Sequence, residues 1–368
     1  LAMKLGMFMM PFHHPDRDYG TVLREDQEAI ILADRLGYDE VYVGEHSTSW
    51  SERISSPLMF LSTLVDRTSR IRLGTGVINL PQTHPAIVAA QAAMFDHLSG
   101  GRFIMGVGPG GLVSDLEMFA LGDPQARPRM TQEAIDIILK LWSRDPPYEH
   151  DGEFWKIGLR NGVWPEFGVG KVPRPLQAPH PPIALTLVTP DSSTGAVAGR
   201  RGFIPISGNF FNERFLRGHW NKYAEGCDEA GRAADPAAWR VARCVLVARS
   251  DAEAEDYMSD PGNGMSYYYS FFRHSMAQGR AALFMLNPNP DRSTDAALTV
   301  DAIKRGQVIY GGPKRVLEQL VALRGRIGPF GALLATGHDW DDGPLWRRSM
   351  ELLATEVWPA FQRHCATV

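Results

Sequence analysis

Gly37-Tyr38-Asp39-Glu40-Val41-Tyr42-Val43-Gly44-Glu45-His46 decides how this chain is read. A β-branched and aromatic run leaves a glycine stop and ends abruptly on an acid and a histidine, the profile of a buried strand that delivers polar side chains to its C-terminal end. In an α/β barrel that end is where chemistry sits. Alone, the stretch equally fits a plainer reading in which Glu45 and His46 only close the strand, because histidines end strands for many reasons. The sequence on either side tips the balance.

Upstream, residues 4–11 form a continuous apolar run closed by proline, which suits a strand buried on both faces, and Phe12, His13 and His14 follow in a turn-rich loop. Between that loop and the quoted strand, Ala29, Ile30, Ala33 and Leu36 recur at helical spacing over 25–36, with Gly37 as the stop. Downstream the rhythm repeats with a helix over 57–68, a strand over 71–77, a helix opened by His84-Pro85 and closed by Gly100-Gly101, and a strand over 102–107. That strand runs into Gly108-Pro109-Gly110-Gly111, where glycines let backbone approach a ligand closely, although a cluster without a GKS or GxGxxG pattern also fits a plain turn.

Further strands are expected over 182–187, 202–206, 239–248 and 330–336, the last ending at His338, which brings the count to eight. After the fifth strand, Ser192, Ser193 and Thr194 are ordinary helix caps or, together with the N–H groups of a helix start, a seat for phosphate. This alternation predicts an α/β fold, a (β/α)8 TIM barrel forming one domain over 1–368, with insertions in its βα loops near 112–129, 146–181 and 251–307. The third insertion, with Tyr267-Tyr268-Tyr269 and Phe271-Phe272, is a candidate lid.

The chain has 368 residues, 44% hydrophobic and 22% charged, enough for one large barrel. With 38 basic and 42 acidic residues its net charge is −4, and no basic run is interleaved with aromatics, which argues against a nucleic-acid partner. Cys227, Cys244 and Cys365 are odd in number and widely spaced, so they signal neither a disulfide framework nor a metal centre and fit a reducing cytoplasm. The apolar run over 5–11 is too short to span a bilayer and lacks the long apolar region and cleavage site of a secretion signal, so no membrane association is expected.

Taken in order, these motifs resemble the bacterial luciferase-like flavin-dependent monooxygenases, of the limonene and alkanal monooxygenase kind, across almost the whole chain. The likeness rests on Lys4-Leu5-Gly6, on Gly37-Tyr38-Asp39 before Glu45-His46, on Gly74-Thr75 through Leu80-Pro81 to His84-Pro85, and on Gly100-Gly101-Arg102-Phe103 before the glycine loop. Gly311-Gly312-Pro313 and Val357-Trp358-Pro359 fit the last helices of the family. The resemblance implies a barrel that binds reduced FMN at its C-terminal mouth and, through a C4a-hydroperoxyflavin, uses O2 to oxygenate a small apolar organic substrate.

Carried onto this sequence, the resemblance makes His46 the residue that exchanges protons with the flavin peroxide, with Glu45 orienting it. Gly76 and Val77, joined by a non-proline cis peptide, would line the flavin with Asn79 and the loop glycines Gly108 and Gly110. Ser193 and Thr194 would take the flavin phosphate, which Asp191 would repel unless turned away. Phe12, His13 and His338 are expected at the mouth, near substrate. Gly108 stands where some members carry a cysteine, which argues against light emission as the task.

The chain shows no dinucleotide fingerprint of its own, so a separate flavin reductase is the expected source of reduced flavin. Two other readings share these motifs: a deazaflavin-dependent hydride-transfer oxidoreductase that uses no oxygen, and a non-catalytic flavin-binding protein. The resemblance also implies a dimer, either a homodimer or a heterodimer with a paralogous subunit, formed through helices near 57–99.

Overall fold

Apolar runs of four to six residues become the eight strands of a parallel barrel: β1 (Lys4–Met9), β2 (Glu40–Val43), β3 (Arg72–Thr75), β4 (Phe103–Gly108), β5 (Ile183–Leu187), β6 (Ile204–Ser207), β7 (Arg240–Arg243) and β8 (Ala332–Gly337). The computed structural model describes residues 3–278 and 283–367. Strand order runs β3-β2-β1-β8-β7-β6-β5-β4, and β4 returns to β3 through Leu73 opposite Phe103, which closes the sheet on itself. Closure leaves no open edge for another chain to pair with.

Residues two apart along a strand share a face, so each strand sends one set of side chains into the barrel and the other toward the helices. Phe8, Tyr42, Ile104, Ile206, Ala242 and Leu334 fill the barrel as one buried cluster. The helix-facing set packs into a second, larger core with residues such as Ile30, Leu61, Ala89 and Ile138. At the N-terminal end of the barrel, Glu40 and Arg240 pair across it in two hydrogen bonds of 2.9 and 3.1 Å, and Tyr42 donates its hydroxyl to Glu40 at 3.2 Å.

Several boundaries differ from the sequence reading for local reasons. The first helix spans Tyr19–Leu36 and starts ahead of 25, because the Asp18 side chain accepts the Thr21 N–H as an N-cap; Gly37 stops it in the left-handed region at φ 86°. The helix expected over 57–68 is only Pro57–Ser62, and a further helix spans Ala126–Ser143. Residues 146–181 hold an antiparallel hairpin, Tyr148–Asp151 against Lys156–Leu159. The strand expected over 239–248 is two: β7 lies in the barrel, whereas Val245–Val247 leaves it to pair with Ile309–Gly311.

Between that outer pair of strands lie the helices Asp251–Ser259, Gly264–Gln278 and Val300–Gln307, the body of the third insertion; residues 279–282 of it fall outside the described residues. Among the described residues no helix is long and apolar enough to cross a membrane, and no group of three or more His, Cys, Asp or Glu is arranged to hold a metal ion.

Candidate active site

The loop leaving β2 turns back on itself, with the His46 N–H donating to the Ile54 carbonyl at 3.0 Å, and this sets the His46 imidazole at the C-terminal mouth of the barrel. Its Nδ1 lies 3.1 Å from Asp115 and its Nε2 lies 3.2 Å from Glu52. Asp115 is itself locked, because its carboxylate accepts the Ser47 N–H at 3.1 Å and both the N–H and the hydroxyl of Thr48 at 2.8 and 2.6 Å. Burial opposes charge on His46, but the two carboxylates outweigh it and carry its pKa up to about 10. At neutral pH the ring is therefore an imidazolium with both N–H groups pointed at carboxylates. With both nitrogens protonated, the ring has no lone pair with which to take a proton.

Glu45 does not orient that ring. Its Oε1 accepts the backbone N–H of Asn79 at 2.7 Å, and so ties the end of β2 to the segment that follows the cis Gly76-Val77 peptide. Burial lifts the Glu45 pKa to about 7, with the nearby His46 charge pulling the other way. A small cavity opens between these groups, lined by Met10, Gly44, Glu45, His46, Glu52 and Ile54.

Continuing the inward alternation of β2, β3 and β4 past their ends gives Gly44, Gly76 and Gly108, so this side of the mouth is walled by backbone. A side chain at 108 would meet Val77 Cγ2 at 2.9 Å. Gly110, at φ 77°, lies beside Gln82 Nε2, and its carbonyl accepts the Arg127 guanidinium at 2.9 Å. Gln82 Nε2 and Arg127 Nε are both buried donors without an acceptor. Beyond β5, Ser193 opens the helix Ser193–Arg201 and Thr194 follows it half-buried; the Ser192 hydroxyl makes no capping bond. Asp191, at φ 48°, rests its carboxylate against Gly218 on the neighbouring helix.

Of the residues expected near substrate, His13 needs correction. It is 1% exposed, with Nδ1 2.5 Å from Asp339 and Nε2 3.2 Å from Asp26, so both ring nitrogens are taken. Burial opposes its charge, yet these carboxylates raise its pKa to about 9, and Arg17 also pairs with Asp339. His13 is a clasp between β1, the first helix and β8. Phe12 stacks on Phe271 of the insertion helix at 4.4 Å, and His338 sits edge-on to Tyr268 at 5.1 Å.

Asp115 and Glu52 escaped the sequence reading, as did Arg127. Asp115 lies 69 residues from His46, on the short helix Val113–Met118 inside a stretch with no clear periodicity. The one available signal was Asp115 in the first turn of that helix.

A (β/α)8 barrel with an imidazolium held between carboxylates at its C-terminal mouth, beside a wall of glycine backbone, has the layout of a barrel enzyme's active site. The sequence pattern of the family described as luciferase-like monooxygenase matches residues 3–328. The 4-hydroxyprotoasukamycin monooxygenase of Streptomyces nodosus subsp. asukaensis is 33% identical over 360 residues, 98% of this chain and 92% of its own. The oxygenase component of the flavin-dependent trigonelline monooxygenase of Acinetobacter baylyi is 28% identical, over 98% of this chain and 96% of its own. Among solved structures, the oxygenating constituent of 3,6-diketocamphane monooxygenase from Pseudomonas putida, in complex with FMN, superposes with a TM-score of 0.85 at 26% identity, covering 98% of each chain. The chain belongs to the luciferase-like monooxygenase family and is a flavin-dependent monooxygenase.

Proposed function

We propose that this chain is the oxygenase of a two-component system: it receives reduced FMN from a separate flavin reductase and, with O2, oxygenates a small, largely apolar organic molecule. The observation that carries this reading is His46, held as a proton donor between Asp115 and Glu52 at the strand end that faces the glycine wall. FMN fits the residues present. Gln82 and Arg127 offer unused buried donors beside backbone that a Cβ would block, and the Ser193 helix start offers N–H groups and hydroxyls to a phosphate, with the Asp191 carboxylate drawn off to Gly218.

Reduced FMN, when bound, supplies the electrons that activate O2. The chain's own residues do the rest. His46 would give the proton on Nε2 as negative charge develops on oxygen and regain one from solvent, with Glu52 holding that N–H in place between turnovers. Asp115 holds Nδ1 and fixes the ring plane. Asn79, whose backbone N–H is held by Glu45, would offer its side-chain amide to the flavin, and Met9, Met10 and Phe12 keep bulk water from the mouth.

The subunit contact of this reading is a face of the helices Pro57–Ser62 and Pro85–Leu98, which leaves Met59, Ile87, Met94 and Leu98 in water. A contiguous apolar face of this kind suits a second copy or a paralogous subunit. The three free cysteines suit a cytoplasmic setting.

The test is stopped-flow absorbance on mixing protein and photoreduced FMN with oxygenated buffer. The reading expects reoxidation slower than that of free FMN, passing through a species with the spectrum of neither the reduced nor the oxidised flavin. Reoxidation indistinguishable from free FMN would overturn it.

A further inference from the structure

Opposite the glycine wall, the mouth is polar and incompletely satisfied. The inward alternation of β7 and β8 runs Ala242, Cys244 and Leu334, Thr336, His338, so the last three residues of these series face the same space above the barrel core. Asn209, just past β6, joins them by donating from Nδ2 to the Tyr268 hydroxyl at 2.6 Å and lying 3.6 Å from Cys244 Sγ. Tyr269 donates to the same sulfur at 3.2 Å. Burial alone would raise the Cys244 pKa, yet His338, Tyr269 and Asn209 hold it below its ordinary value.

Three atoms here have no partner: Asn209 Oδ1, Thr336 Oγ1 and His338 Nε2, on residues at most 5% exposed. Buried polar atoms are almost always bonded because leaving one unpaired forfeits its hydration, so three in one cluster point to a polar ligand. One is an acceptor, and the hydroxyl and the imidazole nitrogen can each give or receive. An oxygen function on a ligand meets that set. Above it stand flat rings: Phe210 stacked on Phe272 at 5.2 Å and 7°, Phe12 on Phe271, and Tyr267, with Phe210, Tyr267, Phe271 and Phe272 half-buried and open to the mouth.

We propose that Asn209, Thr336 and His338 form a subsite that reads a hydroxyl or carbonyl oxygen on a flat, otherwise apolar substrate, with the aromatic walls of the Gly264–Gln278 helix holding its body. This rests on the oxygenase reading and narrows its substrate class from apolar molecules in general to oxygen-bearing ones. A site whose buried polar groups go unpaired against an analogue discriminates strongly against that analogue.

The experiment is equilibrium dialysis of the FMN-loaded protein with p-cresol and with toluene, which share shape and differ by one hydroxyl. The expected result is that p-cresol binds roughly 10-fold tighter or more. His338→Phe and Asn209→Leu should each bring the pair to within about 2-fold. Should either variant fail to fold, Thr336→Val, which keeps the shape and removes the unpartnered hydroxyl, is expected to narrow the preference. Equal affinities in the wild type, a preference that survives the substitutions, or no binding of either probe up to their solubility would overturn the proposal; equal affinities would mean that a resident water fills the subsite. Because the readout is binding, it stands apart from the flavin test: normal flavin oxidation kinetics with no cresol preference sinks only this inference.

Discussion

At one end of β2, Glu40 meets Arg240 in a two-bond pair whose guanidinium also reaches the carbonyls of Ala237 and Ala238 at 3.0 and 2.8 Å. At the other end, His46 lies between Asp115 and Glu52, with Glu45 beside them and unpartnered donors across the loop. Both clusters are charged and largely buried, and they stand at opposite ends of β2. The lower one has one charge for each opposite charge and no spare donor in view; the upper one sets two carboxylates around one imidazolium, with Glu45, raised by burial to about 7, beside them. A satisfied pair fixes geometry. An unbalanced cluster holds a proton where it can be used, and that imbalance is what marks the mouth as the working end.

That contrast can be broken from either side. His46→Ala should lower turnover per folded molecule about 10²–10⁴-fold, since the proton donor is lost, and should also lower the urea midpoint at neutral pH, since Asp115 and Glu52 lose the charge they pair with. Steady-state product formation alongside urea titration separates the two effects. Glu40→Ala should act on stability alone: it strands a buried guanidinium and should cost about 3–5 kcal/mol, while the folded fraction keeps its turnover per bound flavin.

Glu52→Gln sharpens the comparison through pH. The His46 pKa is raised above its unfolded value, so the ring acts as an acid up to about pH 10 and loses activity as pH rises through it. Without the Glu52 charge that alkaline limb should move to lower pH by roughly 1 unit or more, read from kcat against pH. The same sign governs stability. The contributions of His46 and His13 are complete below pH 6.5 and are lost as pH rises through about 9 for His13 and about 10 for His46, so urea midpoints should fall between pH 6 and 10 and fall less in His13→Gln. The smallest effect is expected for Ser193→Ala, a few-fold weaker FMN binding with turnover of the bound form intact, measured by fluorescence titration.

The barrel was legible because strands buried on both faces read as unbroken apolar runs, and β1, β4, β5 and β8 lie where such runs stand. The position of His46 at the mouth was legible for the same reason, since it is the polar residue at which a run stops. What encloses it was not. Glu52 and Asp115 come from loops whose closure depends on backbone bonds such as His46 to Ile54, and no periodicity records these. His13 misled because its neighbours in sequence are turn residues, while its partners Asp26 and Asp339 are brought in by a helix and by the far end of the chain. The split after β7 was hidden too, since Arg240 to Val247 reads as one strand and only the pairing of Val245–Val247 with Ile309–Gly311 shows the exit.

That exit has a consequence of its own. The segment between Val247 and Ile309 leaves and rejoins the molecule through two adjacent parallel strands, about 4.8 Å apart, at a position outside the barrel's hydrogen-bond ladder. It is a cassette with a single doorway. Its Tyr268, Phe271 and Phe272 meet the mouth, yet its two ends are joined to each other, not to the strands that carry His46. Exchanging the whole segment for one of different length, cut at that doorway, would recast the ceiling over the mouth while leaving the eight-strand ladder as it stands, which makes it the natural seam along which evolution or an engineer can trade one substrate for another.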